Sequence, residues 1–371
     1  MQGLNILIIG GGIGGLTSAI ALRRGGHRVT ILEKDPSWSV YGVGIIQQSN
    51  VLRAMDGLGM LDDYLKAGFA FDRVDVFSLT GACVAQLASP KLVDDYPANV
   101  GIGRRALQKV LADRALEAGT QIRLGVTALD FKDGEDGIFV GMSDGTQEGF
   151  NLVIGADGLY SPTRQTIFPE APMPRFTGQS VWRYNFPKPA DLDCLHAYDG
   201  DTAVGLVPLS DDVMYMYVTS TEPGNPRYDR VGMARVMRDR LKGHAPQVEA
   251  LAAQIIDDDG VVYRPLEYIF VEGDWHMGRV VLLGDAVHAT TPHLGQGAGM
   301  AIEDSVVLAE ELGRATTLDA ALRSYRDRRF ERCKYIVETS AAISLGQIGL
   351  GPRIDQISAT SDMYRVIAQP I

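Results

Sequence analysis

Five of the six residues from Gly10 to Gly15 are glycine. They stand between an apolar run, Leu4 to Ile9, and a segment whose apolar residues, Ile13, Leu16 and Ile20, recur at helical spacing. A short, nearly continuous apolar run is what a central parallel strand buried on both faces requires. Each glycine inside a helix costs about 1 kcal/mol relative to alanine, so the cluster interrupts regular structure. The helical segment ends at Arg23-Arg24 with Gly25-Gly26 behind it, and both pairs suit a helix C-terminus. Arg28 to Glu33 reads as a second strand, and strand, helix and strand within about 30 residues become parallel neighbours. The uncharged stretch from Met1 to Leu22, with its Gly11-xxx-Gly15 spacing, imitates a membrane span. No basic residue precedes it and the glycines split it, so it is read as strand plus helix.

The turn itself reads Gly10-x-Gly12-x-x-Gly15, with Glu33 placed 18 residues beyond the third glycine at the end of the second strand. Such a turn lets the backbone approach a pyrophosphate and lets helix and sheet pack closely, while the acid suits a pair of ribose hydroxyls. This spacing serves NAD and FAD equally. A second site follows the apolar run Val280 to Gly284, where Asp285 stands at the strand's C-terminal end. That carboxylate could hold a ribityl hydroxyl, or it could simply cap a helix. Beyond it, Pro292-His293-Leu-Gly295-Gln-Gly297-Ala298-Gly299 leads into a helix carrying Ala301-Ile-Glu-Asp304. The positive end of that helix would face an anionic group, which a reduced flavin has at its pyrimidine edge and a nicotinamide lacks. A third strand, Leu152 to Ala156, delivers Asp157-Gly158 to a turn that Ser161 and Arg164 could equally well cap and pair.

The chain has 371 residues, enough for about two to three units. At 46% hydrophobic and 22% charged it can bury a sizeable core, and a net charge of -11 argues against partners held by phosphate neutralisation, so nucleic acid is excluded. Cys83, Cys194 and Cys333 are far apart and form no CxxC pair, so no disulfide framework and no metal site is expected, and a reducing cytoplasm fits. A helix is expected from Arg104 to Ala118. Short strands follow at Gln121 to Leu124, Ala128 to Lys132 and Gly137 to Met142, with hairpin turns at Asp133-Gly134 and Asp144-Gly145. Gln179 to Phe186, Ala203 to Leu209 and Val213 to Thr219 are rich in aromatic and β-branched residues and suggest a second, mixed or antiparallel sheet. Surface helices are expected at Asp229 to Lys242 and Pro246 to Gln254, and further helices at Ala298 to Leu312, Leu318 to Ser340 and Ile354 to Ala368.

Taken together, the glycine turn, the central Asp157-Gly158 and the later Gly284-Asp285 occur in the order and at the intervals of the single-component, class A flavoprotein monooxygenases. The chain resembles that family, the group of para-hydroxybenzoate and salicylate hydroxylases, from about Leu4 to Glu331. The resemblance implies an α/β fold: a Rossmann-like FAD-binding domain (1–72, 97–176 and 271–317) interleaved with a mixed β-sheet substrate domain (73–96 and 177–270), and C-terminal helices (318–371). It implies FAD held non-covalently and NAD(P)H as co-substrate. Oxygen would pass from O2, through a flavin C4a-hydroperoxide, to an aromatic or N-heteroaromatic small molecule. Glu33 matches the acid on the adenosine ribose, Arg104 an arginine touching FAD, and Asp157 and Gly158 a pair associated with both nucleotides. Asp285 matches the ribityl acid, Pro292 the residue beside the isoalloxazine, and Gly295, Gly297, Ala298 and Gly299 the loop at the pyrimidine. A monomer or homodimer acting without membrane or nucleic acid is expected.

Several positions depart from the family pattern. Gly42-Val-Gly44-Ile-Ile-Gln47-Gln48-Ser49-Asn50 has Ser49 in place of a proline and places Gln47 near the flavin, and Gly299 stands where Asn or Cys is common. Val181-Trp182-Arg183-Tyr184 carries tyrosine where glycine is usual, and Trp182-x-Tyr184-x-Phe186-Pro187 also resembles the mark of flavin halogenases. A halogenase or epoxidase on the same scaffold, or a non-turnover FAD sensor, is therefore the alternative. Arg183, Tyr184 and Gln47 are the expected substrate contacts, and His293, Tyr215 and Tyr217 the expected proton-handling groups. Tyr215 and Tyr217, two apart on a strand, point the same way. His27 and His288 are read as structural.

Overall fold

The structure is a computed structural model and describes every residue except Tyr41, Asp199 and Asp201. The Met1 to Leu22 run divides into the strand Asn5–Ile9 and the helix Ile13–Arg24, joined by the glycine turn. Among the described residues no helix is long and apolar enough to cross a membrane. Asn5–Ile9 lies at the centre of a six-stranded sheet, parallel to Arg28–Glu33 on one side and Leu152–Gly155 on the other. Val280–Leu282 and Gln121–Leu124 extend the parallel set outward, and His276–Met277 adds an antiparallel edge. Gln121–Leu124 thus belongs to this sheet. The hairpins turn at Asp133-Gly134 and Asp144-Gly145, linking Ala128–Asp133, Ile138–Met142 and Gln147–Phe150 in a separate antiparallel sheet. Ile6, Leu7, Ile8, Val153, Ile154 and Val281 are all at most 3% exposed, as a doubly covered sheet demands.

A second sheet has seven strands in the order Val262–Tyr268, Arg175–Pro187, Val213–Thr221, Val204–Pro208, Leu195–Tyr198, Arg73–Phe77 and Cys83–Ala88. Its alternation decides what it does. Trp182, Met214, Met216 and Val218 point to one face and pack with Met237, Leu241, Val248 and Ile255 in a core of their own. Arg183, Tyr215 and Tyr217, one residue out of step, point to the other face. The helices that cover the core face, Met233–Asp239 and Pro246–Ala252, are shorter than their periodicity suggests. The first begins late because Asp258 accepts from the amides of Gly232 and Ala234 at 2.8 Å, holding the preceding residues in a turn. A small sheet of Gly44–Gln48, Asn99–Gly103 and Phe69–Phe71 bridges the two large ones. The chain ends in the helices Gly297–Arg314, Leu318–Gln347 and Gln356–Ala368, the last capped by Asp355.

Candidate active site

Between the two large sheets lies a cavity of about 1640 Å³, larger than the roughly 300–1,000 Å³ usual for a small-molecule pocket. On one side it is lined by Gly12, Ile13 and Gly14 of the glycine turn, and by Ala156, Gly158 and Asp285 at the C-terminal ends of parallel strands. An open α/β sheet binds its ligands there.

The three glycines of the turn are required for different reasons. Gly10 has φ +108, and a Cβ there would stand 2.3 Å from the Ala156 carbonyl oxygen; a Cβ on Gly15 would stand 1.9 Å from the Gly10 carbonyl oxygen. Both are dictated by the packing of helix on sheet. Gly12 is different: its φ of -82 suits any residue, and a Cβ there meets no atom within 4 Å. The space kept beside it fits a pyrophosphate at the start of the helix Ile13–Arg24, whose first turn no side chain caps. Glu33 reaches back to the same turn, its Oε2 accepting from the Gly11 amide at 2.8 Å, which leaves further lone pairs for a ribose.

The opposite lip is the segment Pro292 to Ala298. Pro292, His293, Gly295, Gly297 and Ala298 line the cavity, and the 18-residue helix Gly297–Arg314 points its uncapped N-terminus at it. Gly299 does not. It is buried against Val51, Gln296 and Asn50, where a Cβ would come within 2.9 Å of Val51, so glycine is set by packing there.

Asp285 projects into the cavity; burial in the surrounding protein pushes its carboxyl up, against the pull of His288 and Arg104. Its backbone is fixed from behind. Asp304 Oδ2 accepts from the Gly284 amide at 3.0 Å and from His288 Nε2 at 2.6 Å, and Asp304 Oδ1 accepts from Arg329 Nε at 2.8 Å. Burial alone would lower His288, but Asp304 and Cys333 outweigh it and hold the imidazole well above its ordinary range. His288 is therefore structural, and His27, which accepts from the Leu4 amide at 3.2 Å, is too.

Asp157 also turns away from the cavity. Its oxygens take the Ser161 hydroxyl and the Thr163 amide, the latter at 2.9 Å, so it shapes the turn while Gly158 presents the backbone. Arg164 makes no ion pair among the described residues; it donates to the carbonyls of Ala286 and Leu159.

The second sheet closes the cavity with Arg183, Arg264, Tyr215 and Tyr217, beside Arg104. Burial pulls Arg183 down to about 10, still charged at neutral pH, and lowers Arg104 despite the attraction of Asp285. None of these three guanidinium groups donates a hydrogen bond to the described residues or forms an ion pair with them within 4 Å. Tyr215 and Tyr217 are pushed up by burial, so both stay protonated as donors. Burial takes His293 down to about 4; its Nδ1 accepts from Thr291 and its Nε2 donates to Gln347, at 3.0 and 3.1 Å.

Two expected substrate contacts lie elsewhere. Tyr184 shares the core face with Trp182 and packs on Phe186 with ring centroids 5.1 Å apart, because strand alternation puts it opposite Arg183. Gln47 is buried and accepts from the Tyr64 hydroxyl at 2.6 Å, while its neighbour Gln48 lines the cavity and bonds Gln296. Arg264 and Gln48 were not legible as site residues, since their alternation shows only once the strand register is known. The fold also brings Cys194 beside Asp75 and His196, and Cys333 beside His288 and Asp304. In both groups the carboxylate already pairs with an arginine, Arg73 or Arg329.

Comparison with known proteins agrees with this geometry. The chain is 34% identical over 355 residues to the aurachin C monooxygenase/isomerase of Stigmatella aurantiaca, covering 94% of this chain and 90% of that protein. It is 31% identical to the 6-hydroxynicotinate 3-monooxygenase of Bordetella bronchiseptica, covering 92% and 91%. The structure of Klebsiella pneumoniae HpxO with FAD and uric acid superposes with a TM-score of 0.84 at 27% identity, covering 99% of this chain and 94% of that one. Residues 4–340 match the family described as FAD binding domain. With nearly the whole chain matched by that family and by relatives more than 30% identical, the chain belongs to this family of FAD-dependent monooxygenases.

Proposed function

We propose that this enzyme hydroxylates a planar aromatic or N-heteroaromatic small molecule that carries a phenolic or carboxylate group, using NAD(P)H and O2. The half-buried Arg104 and Arg183, with the more exposed Arg264, face the cavity with no carboxylate within 4 Å among the described residues, and this carries the reading, because positive charge partly withdrawn from water is stabilised when an anion joins it. In the same reading Gly10, Gly12, Gly15, Glu33, Arg104, Gly158, Asp285, Pro292, Gly295, Gly297 and Ala298 surround FAD, within the unit 1–72, 97–176 and 271–317, and Arg104 also faces the substrate side.

Bound FAD supplies the redox chemistry, accepting hydride from NAD(P)H and delivering one oxygen atom of O2 to an electron-rich ring carbon. The chain's own groups prepare that ring. Positive potential from Arg183, Arg264 and Arg104 stabilises a phenolate, which raises electron density on the ring to be attacked. Tyr215 and Tyr217 donate hydrogen bonds that orient it. His293, neutral at pH 7 and held by Thr291 and Gln347, positions the lip at Pro292 rather than carrying charge. A ring seated against the buried Tyr215 is shielded from water on that side.

The test is a panel of phenolic and N-heteroaromatic acids offered to the holoenzyme with NAD(P)H and isotopically labelled O2. At least one compound should stimulate NAD(P)H oxidation and retain label in an organic product. Label appearing only in hydrogen peroxide and water across the panel refutes the reading.

A further inference from the structure

The cavity does not end at the tyrosines. Strand register lines up Arg183, Tyr217, Gly205, Ala197, Val76 and Ala85 as one row across six strands of the seven-stranded sheet. A neighbouring row carries Leu195, Val74 and Leu87. Polarity falls steadily along this face: cations and phenols at one end, then glycine and alanine, then valine and leucine at the far edge. The cavity lining contributed by Leu195–Tyr198, Arg73–Phe77 and Cys83–Ala88 contains no charged side chain. Arg73, Asp75 and His196 of the same strands are one residue out of step and face away.

The small residues in the middle make a trough. A Cβ on Gly205 would stand 2.2 Å from the Tyr217 ring, so glycine lets that ring lie flat against the sheet and Ala197 continues the low floor. From the Tyr217 strand to the Val76 strand is three steps, roughly 14 Å at about 4.8 Å per strand. At the far end Val84 and Leu87, on the edge strand, are 63% and 40% exposed, and the buried Phe71 lines the same cavity. At this end Val74, Val76, Val84, Leu87, Leu195 and Ala197 line the cavity and offer a polar ring no partner.

We propose that this trough is a subsite for a hydrocarbon substituent, so that the substrate is an aromatic ring bearing an alkyl or prenyl-like tail. The ring position is taken from the hydroxylase reading; the tail runs from the Tyr217 ring, which covers Gly205, over Ala197, between Leu195 and Val76, towards Leu87 and Val84.

The test uses the FAD-loaded enzyme and two probe series, 4-alkylphenols and 2-alkyl-4-hydroxyquinolines with chains of one, three, five and seven carbons. Dissociation constants are read from the change in flavin absorbance, and turnover from labelled oxygen in product. Each added methylene should tighten binding by up to about three- to fourfold until the trough is filled. Ala197→Phe fills the trough: it should leave the methyl homologue within twofold and remove the gain from longer chains. Val76→Thr keeps the shape and should shrink the gain per carbon, which keeps the proposal testable if Ala197→Phe does not fold. Affinity that is flat or falls with chain length, while the methyl homologue is hydroxylated, overturns the subsite and leaves the hydroxylase reading intact. Chain-dependent binding lost in Ala197→Phe, with no oxygen transferred to any probe, supports the subsite and counts against that reading.

Discussion

Replacing Asp304 by asparagine removes a negative charge from a cluster that water does not reach. Asp304, His288 and Arg329 are 0% exposed and Glu303 is 1% exposed. His288, Arg329 and Arg332 supply three positive charges against the two of Asp304 and Glu303, with contacts of 2.6 to 3.1 Å. Breaking such a buried set by removing one partner costs about 3–5 kcal/mol. With an unfolding entropy of about 2.1 cal/mol/K per residue over 371 residues, the melting temperature should fall by about 4–6 °C.

The pH dependence carries the sharper test. In the native protein His288 is raised above its unfolded value, so its contribution is complete below about pH 6.5 and fades as pH rises through the raised value. Without Asp304, burial dominates and the imidazole is held neutral, a contribution that is lost as pH falls. The gap between native and variant melting temperatures should therefore widen from pH 8 to pH 5.5. Asp304 itself, held down to about 2 by His288 and Arg329 against the opposing effect of burial, loses its contribution only below that window. Circular dichroism melts at saturating FAD measure this. A gap under about 1 °C, or one that widens towards pH 8, would refute the assignment of a protonated His288 paired to Asp304.

Gly12→Val and Gly15→Val should separate ligand space from packing. The first should fold with native circular dichroism and elute from gel filtration without FAD, whereas the second should not accumulate as folded protein. A yellow Gly12→Val protein would show that the space beside Gly12 is not used by the cofactor. Asp285→Ala should lose much of its flavin on gel filtration, and unchanged flavin content excludes a ribityl contact. Arg183→Ala should cost about 2–5 kcal/mol in binding a carboxylated substrate, seen mainly in KM. Equal changes in KM for that substrate and its decarboxylated analogue would show that Arg183 does not read a carboxylate.

Local chemistry was enough for one half of the molecule. The strand, glycine turn, helix and second strand from Asn5 to Glu33 follow from apolar runs and turn residues close in sequence, and the positions of Gly10, Gly12, Gly15, Glu33 and Asp285 follow with them. Three strands of the second sheet were legible from their β-branched and aromatic runs. Their inner and outer faces were not, because both faces carry large side chains: Trp182 and Tyr184 turn to the core while Arg183 turns to the cavity. A period of two fixes which residues go together, but only pairing with Val213–Thr221 and Val262–Tyr268, and the helices packed beneath, decides which set is inside. The same holds for Gln47 and Gln48, adjacent in sequence and opposite in role. Asp157 matched a ligand motif yet spends its oxygens on Ser161 and Thr163, a local competition that sequence leaves open. The apolar trough is decided last of all, since Gly205, Ala197 and Val76 are brought into one row by strands far apart in sequence.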